Sequence, residues 1–135
     1  MLGEADLLVA PLEPGRRMES MMSPTAVLDD DGLVLVAGAA GGTRLRPALA
    51  QVLSGILDEG MGTQEAVDRP RLHSTGAIVH LEPGFEPSAV DALLEQGYDV
   101  RLWQTLHHYF GGVSVVGRAG AAGDPRRSGA ALAPA

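Results

Sequence analysis

Cysteine and lysine are both absent from the 135-residue sequence. Without cysteine the chain has no disulfides, no thiolate metal ligands and no cysteine nucleophile. All ten basic residues are arginines, so no side-chain amine can serve as a base or form a Schiff base. The histidines do not form a set with metal-ligand spacing, and we therefore expect neither a metal ion nor a cofactor.

Positive charge and long apolar runs are also scarce. The formal net charge of −7 predicts no attraction to nucleic acid or to anionic membrane surfaces. No apolar run approaches the roughly 20 residues that span a bilayer. The N-terminal segment lacks the cationic region of a secretory signal, which predicts a cytoplasmic location for the chain as given. A longer precursor leaves a periplasmic or extracellular location open.

The apolar pattern predicts an α+β fold, with helices packed on a mostly antiparallel sheet. Residues 25–28 and 33–37 form a hairpin around an Asp-Asp-Asp-Gly turn, and the continuously apolar second arm predicts a strand buried on both faces. Apolar residues at helical spacing between Leu45 and Leu57 mark the clearest helix. Later elements are a short helix at 63–67, strands at 77–82, 98–104 and 111–118, and a helix that begins at Pro87. We divide the chain into an irregular segment 1–17, a domain 18–128 and a frayed tail 129–135.

A glycine-rich turn, VLVAGAAGGTRLRP at 34–47, joins the second strand to the long helix. A phosphate loop of the Walker type needs a lysine, and a dinucleotide fingerprint needs another glycine spacing than that of Gly38, Gly41 and Gly42. Two interpretations remain. The glycines serve only the backbone geometry of a tight turn, or the amides of Gly41 and Gly42 form an oxyanion hole for an acyl-transfer reaction.

Several motifs resemble, in order, the C-terminal part of the small subunit of the γ-glutamyltransferase (γ-glutamyltranspeptidase) family. They are SMMSPTAV at 20–27, GLVLVAGAAGGTRL at 32–45, EAVDRPRLH at 65–73, YFGGVSVV at 109–116 and GDPRRSGAAL at 123–132. The resemblance implies an N-terminal-nucleophile hydrolase, of whose αββα sandwich this chain is a part. It also implies the family's chemistry, in which an N-terminal threonine attacks a γ-glutamyl amide and its own amine acts as the base.

The resemblance implies that four residues of this chain have roles in the site. Gly41 and Gly42 match the paired glycines whose backbone amides form the oxyanion hole. Ser20 and Met21 match a serine pair that binds the α-carboxylate of the glutamyl group. The second hydroxyl is thus replaced by a thioether, which donates no hydrogen bond.

The family's nucleophilic threonine lies upstream of the segment that matches here, and residues 1–19 contain no threonine. We therefore expect the chain to be inactive alone and to need a partner polypeptide that carries the catalytic threonine, with a γ-glutamyl-type small molecule as substrate. The alternative is a non-catalytic remnant that acts as a binding or subunit-interaction domain.

Two groups of arginines raise further expectations. Arg44 and Arg46 lie in the first turn of the long helix, where the helix dipole disfavours cations, so each is expected to have a carboxylate or a substrate as partner. The segment from Asp124 to Arg127 has two interpretations, an anion clamp or a turn capped by the aspartate side chain with ion pairs at the surface, and we favour the turn.

Overall fold

The computed structural model describes residues 14–17 and 20–132. They form strands and helices in the order β1 (Thr25–Asp29), β2 (Gly32–Ala40), α1 (Leu45–Leu57), α2 (Thr63–Asp68), β3 (Leu72–Thr75), β4 (Ile78–Leu81), α3 (Pro87–Glu95), β5 (Asp99–Leu102), β6 (Gly112–Gly117) and β7 (Gly120–Ala122). The α+β prediction is confirmed. None of the helices in this part of the chain is long and apolar enough to cross a membrane. Residues 1–13 and 133–135 lie outside the described residues, and the division at 17 and 128 stays a prediction.

Four strands form an antiparallel sheet in the order β1-β2-β6-β7. Helices α1 and α2 pack on one face of this sheet, and side chains from both layers form the hydrophobic core. The helical spacing of the apolar residues in α1 produces this packing, because it gathers them on one side of the helix. The buried core residues are Leu35, Ala37, Leu45, Ala48, Leu49, Val52, Ala66, Val67, Val113, Val115 and Ala122.

The prediction that the second hairpin arm is buried on both faces is wrong. Leu35 and Ala37 of β2 point into the core, whereas Val36 is 41% exposed on the opposite face. Its cross-strand neighbour Val116 on β6 is 58% exposed on that same face. We call this side of the sheet the open face. No layer of the described residues covers it, which explains why an apolar strand is half exposed.

A second sheet of three strands has the order β3-β4-β5. Strands β4 and β5 are parallel and are connected through α3, and β3 pairs antiparallel to β4. The strands β3 and β7 were not predicted, because LHST is largely polar and GAA has small residues with little strand preference. The alternation in residues 98–104 predicts that Val100 and Leu102 of β5 face inward, but the Leu102 side chain is 58% exposed.

A buried ionic cluster connects the two sheets. Arg71, just before β3, places its Nη1 atom 2.7 Å from Oδ2 of Asp124, which follows β7. Arg126 donates from Nε to Oε1 of Glu82 over 2.7 Å and also pairs with Asp124 at 3.2 Å. All four side chains are at most 3% exposed. Burial lowers the pKa of Arg71, but an arginine keeps its proton, so two cations and two anions balance one another.

The cluster also forms hydrogen bonds with backbone groups of the neighbouring elements. Both arginines donate to the carbonyl of Val67 in α2, and Asp124 accepts from the amide of Val113 in β6 over 2.8 Å. The aspartate caps its own turn, because Oδ1 accepts from the amide of Arg126. The predicted cap is therefore confirmed, but the predicted surface location of the ion pairs is wrong for Arg126: they are buried because Glu82 and Arg71 come from the other sheet.

A cluster of aromatic and imidazole rings provides a second connection between the sheets. Trp103, which follows β5, stacks on Tyr109 with ring centroids 4.9 Å apart, and its indole N–H donates to Nδ1 of His80 over 3.3 Å. His73 of β3 is 7% exposed and meets Tyr109 edge-on. Burial lowers the pKa of His73, and the neighbouring Arg44 and His80 lower it further. His73 is thus held in its neutral form.

Replacing Arg126 with methionine should destabilise the protein strongly. The variant leaves Glu82 as a buried carboxylate without its main partner, and breaking a buried pair costs about 3–5 kcal/mol. Urea unfolding followed by circular dichroism measures the loss. Arg118→Met is the matched control, because Arg118 pairs with Asp29 at the surface. Equal losses in the two variants would contradict the account.

The free energy of unfolding should fall as the pH is lowered through about 6.5, the ordinary histidine pKa. In that range the unfolded chain binds a proton at His73 that the folded chain excludes. The free energy of unfolding therefore falls by up to about 1.4 kcal/mol for each unit by which the pH drops, until the lowered pKa of His73 is reached. His73→Phe should keep the ring contact and reduce this pH dependence. His108→Phe, at an exposed histidine, should not, and urea titrations at pH 5.5 and 7.5 compare the three proteins. An unchanged pH dependence in His73→Phe would refute this origin.

Candidate active site

The glycine-rich turn leaves β2 at Ala40 and enters a 3-10 turn, Gly42–Arg44, directly before α1. Gly41 has a φ of 146° and Gly42 a φ of 62°, both in the region that favours glycine. A Cβ atom at position 41 would lie 2.7 Å from the Cα atom of Gly111. Both the backbone conformation and this close approach therefore require glycine at position 41.

The turn presents two unused amide groups. Within the described residues, the N–H groups of Gly41 and Gly42 donate to no acceptor, although the carbonyl of Gly41 accepts from the amide of Arg44 over 3.3 Å. Consecutive amides that leave a strand and enter a helix can bind the same negatively charged oxygen. The geometry is thus suited to an oxyanion as well as to a tight turn.

Ser20 and Met21 lie beside this turn. Together with Ser23, Thr43 and Arg46 they line a cavity of about 240 Å³. Thr43 directly follows Gly42, so the fold brings the two sets of predicted site residues together from segments about 20 positions apart. Hydroxyl groups and a guanidinium group dominate the polar lining, and they can donate to an anion.

The partner expected for Arg44 is not a carboxylate. Its guanidinium carbon lies 4.4 Å from the centroid of the Tyr109 ring, a cation–π contact. Such a contact offsets the unfavourable helix dipole without an acid, and the sequence could not show that Tyr109 comes near. Arg46 has no ionic partner among residues 14–17 and 20–132 and faces the cavity of Ser20.

Among the described residues, the site can bind charge but has no base. The described residues that line the Ser20 cavity include no histidine, aspartate or glutamate. Thr43 has a hydroxyl group, but its amine is part of a peptide bond and cannot accept a proton. In the described part of the chain no three potential ligands come together to hold a metal ion. The arrangement is suited to binding an oxyanion, and none of these lining residues has the chemistry to generate one.

Arg127 belongs to the segment from Asp124 to Arg127, for which the sequence left an anion clamp as the second interpretation. Its side chain extends across β6 towards Gly41, so that its Nη2 atom lies 3.7 Å from the position of a Cβ at residue 41. The sequence could not show this position beside the turn, which arises because β6 runs directly beside β2.

Comparisons with known proteins identify the family of the chain. The family model described as gamma-glutamyltranspeptidase matches residues 7–134. The chain is 33% identical over 95 residues to the glutathione hydrolase proenzyme of Escherichia coli, which covers 69% of this chain and 16% of the relative. It is 30% identical over 89 residues to the acylase ACY 1 proenzyme of Pseudomonas sp. strain V22, which covers 66% of this chain and 16% of the relative. The chain thus spans about a sixth of each of these relatives.

A solved structure gives the same result for the fold. The gamma-glutamyltranspeptidase from Pseudomonas nitroreducens, in complex with L-DON, superposes with a TM-score of 0.76 at 28% identity. The superposition covers 92% of this chain and 67% of that one. A family model that matches nearly the whole sequence and a shared fold lead to one conclusion: the chain belongs to the γ-glutamyltranspeptidase family.

Proposed function

We propose that this chain supplies the oxyanion-binding part of an acyl-transfer site that acts on γ-glutamyl-type amides. The observation that carries the proposal is the turn at Gly41 and Gly42, whose two amides are unpaired within the described residues and whose geometry requires glycine at position 41. Amides at the start of a helix have no acceptor within the helix and are available to an anion or to water. Family membership supports γ-glutamyl transfer or hydrolysis as the reaction.

The substrate's acyl end binds in the Ser20 cavity. Ser20 contributes a hydroxyl group, and Met21 contributes an apolar contact in place of a second hydroxyl. Arg46 lines the same cavity and compensates for the lost donor with a positive charge. This arrangement favours an acyl group that has both an aliphatic chain and a terminal anion.

The nucleophile is a threonine on a polypeptide outside these 135 residues. Its hydroxyl oxygen attacks the amide carbonyl, its free amine takes the proton, and the resulting oxyanion is held by Gly41 and Gly42. The proton then passes to the leaving amine, and water or an acceptor amine releases the acyl group. The reaction needs no cofactor.

The open face is the surface against which this partner polypeptide packs. Val36 and Val116 are paired across β2 and β6 and form an exposed apolar pair on this face. Several relatives are named as proenzymes, which supports an enzyme made from more than one segment.

A non-catalytic interaction domain is the second candidate, and the same open face favours it. A covering layer without a threonine would bury Val36 and Val116 equally well. The two functions differ at the turn, because only acyl transfer uses the amides of Gly41 and Gly42.

The chain alone should release no 4-nitroaniline from γ-glutamyl-4-nitroanilide above the buffer rate. Co-expressed and copurified with a family segment that begins with the catalytic threonine, it should turn this substrate over. Gly41→Ala keeps its N–H group, but its Cβ atom would collide with Gly111 and displace the amide, so the variant should lower kcat by about 10²–10³-fold, the effect of losing an oxyanion donor. Gly62→Ala is the control, because position 62 has ordinary extended backbone and a Cβ there would meet only Oε2 of Glu65, at 4.0 Å.

Two results would contradict the proposal, the first for the external nucleophile and the second for acyl transfer. Turnover by the chain alone would show that it has a nucleophile of its own. A stable copurified complex without turnover would leave the interaction domain as the better interpretation.

A further inference from the structure

A second cavity, of about 420 Å³, lies on the open face next to the glycine-rich turn. Its floor is formed by small residues of two neighbouring strands, Gly38 and Ala40 of β2 and Gly112 and Ser114 of β6. Among the described residues, it shares no lining residue with the cavity of Ser20. The turn is therefore bordered by two separate cavities.

Arg127 forms one side of this second cavity, and its path is fixed by the strand below it. The side chain lies flat on β6 at Gly112, where a Cβ atom would come within 2.9 Å of its Cγ and 3.1 Å of its Nε. Because position 112 has no side chain, the guanidinium group can extend over the strand and approach Gly41. The arginine thus reaches the turn from the open face.

The guanidinium group of Arg127 has no hydrogen-bond or ionic partner within residues 14–17 and 20–132. Asp124 lines the same cavity, but its oxygens already accept from Arg71, Arg126 and the amide of Val113. The cavity is consequently positive in a chain whose net charge is −7. Its free donors, the guanidinium group and the Ser114 hydroxyl, suit a carboxylate, which a guanidinium group can bind in bidentate geometry.

We infer that Arg127 binds a carboxylate of the substrate in this cavity, beside the Gly41–Gly42 turn and apart from the Ser20 cavity. The inference rests on the proposed acyl-transfer function. Arg127 contacts the substrate but not the reacting bond, so it determines specificity. It selects for substrates that have a carboxylate on the side of the open face.

Titration of the 135-residue chain with glutarate tests this inference. Binding is measured from the ¹H–¹⁵N chemical shifts of Gly41, Gly42 and the Arg127 Nε–H group. Glutarate should shift all three signals, and the neutral diamide glutaramide should shift none. Arg127→Gln should weaken glutarate binding at least tenfold, as measured from the chemical shift of Gly41. Arg101→Gln should leave it unchanged, because Arg101 is exposed on β5 and pairs with Asp99 of the same strand.

The inference is wrong if glutarate does not bind, if glutaramide binds equally well, or if Arg127→Gln binds glutarate as the native chain does. Turnover by the copurified enzyme distinguishes a failure of the role of Arg127 from a failure of the proposed acyl-transfer function. Turnover of γ-glutamyl-4-nitroanilide that persists while glutarate binding is absent refutes only the role of Arg127. Glutarate binding without any turnover in the assembled protein refutes acyl transfer.

A partner carboxylate on Arg127 is the competing explanation. In that case Arg127→Gln would weaken assembly with the threonine-bearing segment and leave KM unchanged for anionic and neutral substrates alike. That result would overturn the inference. A rise in KM confined to carboxylate-bearing substrates, with assembly unaffected, would support it.

Discussion

The buried ionic cluster of Arg71, Glu82, Asp124 and Arg126 is the interaction on which the rest of the structure depends. It joins the two sheets and α2, and it reaches the glycine-rich turn as well: Nη1 of Arg71 lies 3.4 Å from the carbonyl oxygen of Gly111, and Gly111 packs against Gly41. Charged groups this deeply buried are tolerated only when they are paired and hydrogen-bonded. The cluster therefore favours one arrangement of the two sheets and, through Gly111, one position of the turn.

The glycine-rich turn lies between two cavities. On one side the Ser20 cavity provides hydroxyl groups and Arg46, and on the open face a second cavity is bordered by Arg127. Between them are two amides that are unpaired within the described residues. These features belong together if another polypeptide packs on the open face, brings the nucleophile and encloses the substrate. The same packing would cover the apolar pair of β2 and β6, so a single association would complete both the core and the site.

Local patterns predicted much of this fold. The helical spacing in α1, the hairpin turn and the Asp124 cap depend on neighbouring residues and were readable from the sequence. The exposed face of β2 was not, because its exposure depends on a layer that the described residues lack. The burial of Arg126 depends on Glu82, 44 positions away, and the partner of Arg44 is a tyrosine ring 65 positions away. The approach of Arg127 to the turn could not be predicted for the same reason: it arises only because β6 lies beside β2.

The central claim is that Gly41 and Gly42 bind the oxyanion of an acyl transfer whose nucleophile comes from elsewhere. The most direct test is a crystal structure of the chain assembled with a threonine-bearing segment and trapped as a tetrahedral γ-glutamyl adduct. The account predicts the adduct's oxyanion at about 2.7–3.1 Å from both amide nitrogens. An adduct whose oxyanion is bound by other donors, with both glycine amides still unpaired, would contradict it.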